Sequence, residues 1–236
     1  MKKVIHKSES RGGADHGWLK AKHTFSFAGY MDPSRVHFGM LRVLNDDIVA
    51  GGTGFGAHPH DNMEIITIPI SGALHHKDNT GRSEIIRSGD VQIMSAGTGI
   101  VHSEMNASKD ESVNLLQIWI FPKERNIVPR YEQKTFNEAD RRDRFQIVVS
   151  PDKSEGGVWI NQDVKFALSD LSSGKSVTYT PAFANSGLYL FVIDGQIEAA
   201  DETLGLRDGM GVSETDLLTV TAIVDSKVLL MEIPMQ

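Results

Sequence analysis

A chain of 236 residues with no cysteine has room for one large domain or two of roughly 100 residues each. It can hold no disulfide, thiolate zinc site, iron–sulfur cluster or thiol nucleophile, so any metal must be held by histidine and carboxylate. A formal net charge of −7 disfavours direct binding to nucleic acid, which needs a basic surface to release phosphate counterions.

The N-terminal residues MKKVIHKSES carry no apolar h-region, and no run of about 18 apolar residues follows. The expectation is a cytoplasmic protein with no membrane span. Short β-branched runs punctuated by Gly and Asx dominate the rest, the pattern of a sandwich or barrel. Strands are expected over 64–70, 84–86, 91–94, 113–121, 145–150, 188–193 and 228–233. Asn79-Thr80-Gly81 reads as a hairpin loop. Only 137–142 looks helical, and the Arg141, Arg142 and Arg144 run there is expected to be solvated rather than a basic patch.

A weak internal repeat runs through these strands. Ile70-Ser71-Gly72-Ala73-Leu74 is echoed by Ile193-Asp194-Gly195-Gln196-Ile197, and Gly89-Asp90 by Asp208-Gly209. Two related β domains follow, divided in the polar stretch near 137–143, as 1–138 and 139–236. All nine histidines, at 6, 16, 23, 37, 58, 60, 75, 76 and 102, lie in the first. Aligned on the repeat glycines, His58-Pro59-His60 falls opposite roughly Pro181-Ala182-Phe183 and His102 near Ala222, so the second copy lacks ligands.

Two segments carry chemistry. In Gly54-Phe55-Gly56-Ala57-His58-Pro59-His60-Asp61-Asn62-Met63-Glu64, alternation along a strand puts His58 and His60 on one face, with Asn62 and Glu64 continuing it. Imidazoles about 6.5 Å apart along a strand can grip one ion. In Gly97-Thr98-Gly99-Ile100-Val101-His102-Ser103-Glu104, His102 and Glu104 share a face behind two glycines that permit a tight backbone approach. Spacing leaves both Glu64 and Glu104 open as the carboxylate ligand. His75 and His76, at a hairpin start, read as a surface turn, with His76 alone offering a second reading as a pocket residue. His16 and His23 read as packing residues. Phe55, Met63 and Met105 read equally as pocket or core, and Arg130-Tyr131 as a solvated loop.

Gly52, His58-Pro59-His60, Glu64 and Gly72 resemble the first cupin motif, and Gly89, Gly97, His102 and Asn106 approximate the second. Ser95 stands where proline is usual, and the Gly97-to-His102 spacing is long. That departure resembles the pirin family, as do His16-Gly17-Trp18, Thr24-Phe25-Ser26-Phe27, Leu41-Arg42-Val43-Leu44-Asn45-Asp46-Asp47, Gln92-Ile93-Met94-Ser95-Ala96-Gly97 and Gln117-Ile118-Trp119-Ile120. The resemblance is dense over 11–133 and thin afterwards. It implies an all-β bicupin: two packed antiparallel barrels of double-stranded β-helix or jelly-roll type, with metal in the first alone. It implies the ligand set His58, His60, His102 and Glu104, whereas the general cupin pattern favours Glu64.

The implied cofactor is one divalent metal, Fe(II) ahead of Ni, Co, Mn, Cu or Zn, since such a donor set suits any of them. The implied activity is cleavage of flavonols such as quercetin by O₂, with Glu104 as general base and Glu64 in reserve. A second reading is a metal-bound, redox-sensing regulator acting through a protein partner. A third is a metal-dependent isomerase or small-ligand-binding cupin.

Overall fold

The predicted apolar runs become strands because their alternate residues find a sheet to bury against. The computed structural model describes residues 1–236. Each expected strand is present, as Glu64–Ser71, Ser83–Arg87, Asp90–Ser95, Val113–Ile120, Gln146–Ser150, Ser186–Asp194 and Ser226–Pro234. The helical stretch is a single 3₁₀ turn, Glu138–Arg141, whose first free N–H groups are capped by the Asn137 side chain. Arg141 departs from the expectation of solvent exposure. It is buried, with its guanidinium 3.0 Å from both Asp170 and Glu138.

The protein is all-β, with two cupin-type halves. In the first, a seven-stranded sheet runs in the order Arg130–Thr135, Asp90–Ser95, Glu64–Ser71, Val113–Ile120, Leu41–Val49, Leu19–His23, Gly12–Asp15. It faces a four-stranded sheet ordered Gly54–His60, Ile100–Asn106, Ala73–Asp78, Ser83–Arg87. In the second, the large sheet runs Lys2–His6, Gly209–Ser213, Ser186–Asp194, Ser226–Pro234, Lys165–Leu171, Gln146–Ser150, Val158–Trp159. It faces Ser176–Tyr179, Leu218–Ala222, Ile197–Ala199 and Glu202–Leu204. The first strand of the chain therefore sits in the sheet of the second half.

The two large sheets pack back to back. Leu44, Ile66, Ile93, Leu116 and Ile118 of one meet Phe166, Tyr189, Phe191, Leu229 and Met231 of the other in one buried apolar cluster. The opposite face of each large sheet meets its own small sheet.

The repeat is real in topology, down to its irregularities. Gly72 and Gly195 both turn with positive φ, 75° and 87°, where the absence of Cβ removes the steric cost. Each follows a strand whose register slips just before the turn, between Pro69 and Ser71 in one copy and Val192 and Asp194 in the other. Cross-strand register corrects the sequence alignment beyond that point. Leu74, two residues after Gly72, pairs with Asn106, and Ile197, two after Gly195, pairs with Ala222. Ala222 thus matches Asn106, and His102 matches Leu218. His58, opposite His102, matches Tyr179, opposite Leu218. The intervening loops differ in length, which a gapless alignment does not see.

The same register sets Glu104 against Val220 and His76 against Ala199. Tyr179, Ala199, Leu218 and Val220 all belong to the apolar core of the second half. Its interior is filled with hydrocarbon where the first is polar.

Candidate metal centre

Ile100–Asn106 is an inner strand of the small sheet, and it organises the centre. On one side His102 pairs with His58, with a register shift before Glu104. On the other, Glu104 pairs with His76 and His102 with Asp78. Burial alternates along the strand, so His102 and Glu104 face inward, each 2% exposed, while Val101 and Met105 face out.

The ring centroids of His58, His60 and His102 lie 4.8, 4.4 and 4.9 Å apart. Their ligand atoms fall within 4.8 Å of one another. His76, His102 and Glu104 form a second such triplet sharing His102. His58 Nδ1 lies 2.8 Å from the Gly56 carbonyl, which leaves its Nε2 free. His60 stands edge-on to Trp119 at 5.0 Å.

The donor set fits a divalent cation. His102 Nε2 is buried and has no hydrogen-bond partner, an orphan that costs free energy unless something occupies its lone pair. Burial, with neighbouring imidazole charge, pushes His60 down to about 4 and His102 down to about 3. The neutral ring, the form that ligates, therefore dominates at neutral pH. Glu104 is pushed up to about 7 by burial, against the pull of two neutral donors, Thr67 Oγ1 at 3.3 Å and Gln117 Nε2 at 2.9 Å. A cation would supply the charge those donors lack.

Glu64 stands apart from both triplets. Its Oε2 accepts from Ser95 Oγ at 2.7 Å and from the Asn161 backbone at 3.2 Å, so it ties the first half to the second. Phe55 packs against Trp18, and Met63 against the Ile65 and Met94 cluster. Arg130 lies 4.6 Å over the Trp159 ring, on a strand rather than a solvated loop.

His76 corrects the sequence expectation of a surface turn. It is fully buried, its ring packed at a tilt against Tyr131 at 4.8 Å, with Nε2 3.0 Å from Asp78 Oδ2. Strand alternation from buried Leu74 carried that signal, but the charged run around it masked it. His75, its neighbour, faces Ser83 at the surface.

A family profile described as Pirin matches residues 4–120, and one described as quercetinase C-terminal cupin domain matches 147–233. The chain is 40% identical over 230 residues, 98% of either chain, to a protein of Escherichia coli K12 named quercetin 2,3-dioxygenase. It is 45% identical over 224 residues to a putative quercetin 2,3-dioxygenase of Pseudomonas aeruginosa, covering 94% of this chain and 95% of that one. The structure of the bacterial pirin YhhW from Escherichia coli in complex with nickel(II) superposes with a TM-score of 0.93 at 39% identity, covering 99% of both chains. Similarity of this extent, spanning both halves, shows that the chain belongs to the pirin family.

Proposed function

We propose that the protein is a metal-dependent dioxygenase that cleaves flavonol-type polyphenols such as quercetin with O₂, working with iron(II) held by His58, His60, His102 and Glu104. The observation that carries this is the convergence of three neutral imidazoles on one point, with a bare, buried His102 Nε2 beside an under-compensated carboxylate. Relatives named for quercetin dioxygenation and a nickel-bound relative support it.

A divalent metal held by His58, His60, His102 and Glu104 would supply Lewis acidity toward a flavonol hydroxyl. The chain's residues do the remainder. His58 and His60, half-buried, form the rim that admits a flat ring. Glu104, oriented by Thr67 and Gln117, takes the hydroxyl proton onto a carboxylate oxygen. Glu64 is the poorer base, because Ser95 and Asn161 already engage it. Trp119, edge-on to His60, excludes water from that side.

The test is elemental analysis of protein purified without added metal, then aerobic incubation of iron-loaded protein with quercetin. Loss of the flavonol absorbance is expected, with His58→Ala inactive. No turnover with any first-row metal would overturn the assignment.

The second reading, a metal-dependent regulator, draws on the half-buried rim, which a protein partner could cover. Capture of one partner by iron-loaded but not His58→Ala protein would favour it. No helix is long and apolar enough to cross a membrane, and a cytoplasmic location is proposed on that basis and the sequence.

A further inference from the structure

His76 and Asp78 lie on the strand beside His102 and take no part in the three-histidine cluster. His76 Nε2 is 3.0 Å from Asp78 Oδ2, and His76 Nδ1 is 3.5 Å from His102 Nδ1. Both the His76 and the Asp78 side chains are fully buried. The direction of each bond follows from donor and acceptor chemistry.

An ionised carboxylate only accepts, so His76 Nε2 is the donor to Asp78. A neutral imidazole protonated on Nε2 has a bare Nδ1, which can only accept. His102 Nδ1 must then donate to it, and His102 Nε2 is left without a proton. That atom is the buried one with no partner, on the ring that clusters with His58 and His60.

We infer that Asp78 and His76 are positioning residues that lock His102 in the tautomer offering Nε2 to a divalent metal. The inference rests on reading His102 as a ligand. It extends by one imidazole the carboxylate–histidine–metal arrangement that fixes ligand orientation in many sites. It also gives His76 a task other than ligation, since both its nitrogens are engaged.

The relay is itself braced. Asp78 Oδ1 accepts from Thr80 N at 2.9 Å, Thr80 Oγ1 at 2.6 Å and Arg82 N at 3.2 Å, which reserves Oδ2 for His76. Tyr131 packs against the His76 ring, centroids 4.8 Å apart and planes tilted by 38°, and restricts its rotation.

Asp78→Asn is the discriminating variant. The amide oxygen can keep all three turn bonds, so the hairpin survives. The amide nitrogen now donates to His76 Nε2, which drives the His76 proton to Nδ1 and the His102 proton to Nε2, as a carboxylate-to-amide change beside a catalytic histidine does elsewhere. Nickel(II) affinity, titrated against a competing chelator, is expected to fall about ten- to hundredfold. The metal-free melting temperature is expected to stay near that of the parent protein. His76→Phe keeps an aromatic ring against Tyr131, removes the acceptor and should lose affinity likewise. In the metal-free proteins, ¹⁵N spectra of the imidazoles should show His102 protonated on Nδ1 in the parent and on Nε2 in Asp78→Asn. A parent His102 protonated on Nε2, or nickel affinities in both variants within twofold of the parent, overturns the inference. A parent protein that takes up no nickel(II) overturns the metal reading instead, and the tautomer spectra then decide the relay alone.

Discussion

His102 joins everything in the centre: it is opposite His58, beside His60, hydrogen-bonded to His76 and two strand positions from Glu104. His102→Ala is therefore expected to weaken nickel(II) binding by more than about a hundredfold, measured by calorimetric titration, with the far-ultraviolet spectrum unchanged. Retention of parent affinity would refute its place as a ligand. Asp47 makes a second and independent prediction. Burial, then the charges of Asp46 and Glu104, push its carboxyl from 3.8 up to about 7, against Arg11, and its Oδ1 has no partner. A carboxyl whose pKa rises on folding favours the fold while protonated, so the contribution of Asp47 to the stability of the metal-free protein should fall as pH rises from about 4 to about 7 and level off above, opposing His6, His60 and His102, whose lowered pKa values make stability rise with pH. Relative to the parent, Asp47→Asn should gain on the order of 2–4 kcal/mol of stability from the bottom of that window to the top; equal slopes in urea titrations of parent and variant would exclude it. The three histidines were legible because strand alternation fixes the face of each, and their motif fixes the spacing. The carboxylate was not, because Glu64 and Glu104 alternate equally well; only Ser95 and Asn161, the latter distant in sequence, show where Glu64 is spent. His76 and Asp78 were hidden for the same reason: a polar hairpin start looks solvated until a neighbouring strand covers it.

Seven of the 22 strands were legible as β-branched runs between glycines, and their ends fall within two residues of expectation. Lys2–His6 was not. Its sequence is basic and short, and its strand character comes from a partner, Gly209–Ser213, at the other end of the chain, the kind of tertiary context that overrides local preference. Once paired, it is bound along its length. Lys3 Nζ reaches the Ala200 carbonyl and Glu202, His6 Nδ1 sits 2.7 Å from Tyr189 Oη, and Asp208 takes both Lys7 Nζ and the Ser8 N–H. Removing residues 1–7 would expose a row of unpaired N–H and C=O groups on Gly209–Ser213 and strand the buried Tyr189 hydroxyl. The truncated chain is expected to melt at least several degrees lower and to scatter light on heating, while binding nickel(II) like the full chain at low temperature. A melting temperature equal to the parent's would show the strand to be dispensable.

The two halves divide the work unequally, since one interior is polar and reactive and the other is hydrocarbon, yet they do not divide the stability. The back-to-back sheets share a cluster of 25 buried residues drawn from both, Arg11 of the first half lies 5.3 Å over Phe191 of the second, and Glu64 reaches across to Asn161. Separating them at 138 would strip an apolar face from each large sheet and carry Lys2–His6 away from its partner. Neither 1–138 nor 139–236 is expected to fold alone, and the full chain should unfold in one calorimetric transition whose van't Hoff and calorimetric enthalpies agree. Phe191→Ala sharpens the test, because it leaves a cavity far from the metal centre. Loss of a buried phenylalanine costs about 3–5 kcal/mol, or a fall on the order of 10 °C for a chain of this size. With one cooperative unit, nickel(II) added to this variant should raise the single transition as a whole, by mass action on the folded state. Two transitions, of which nickel(II) moves only one, would show instead that the metal-bearing half stands without the other.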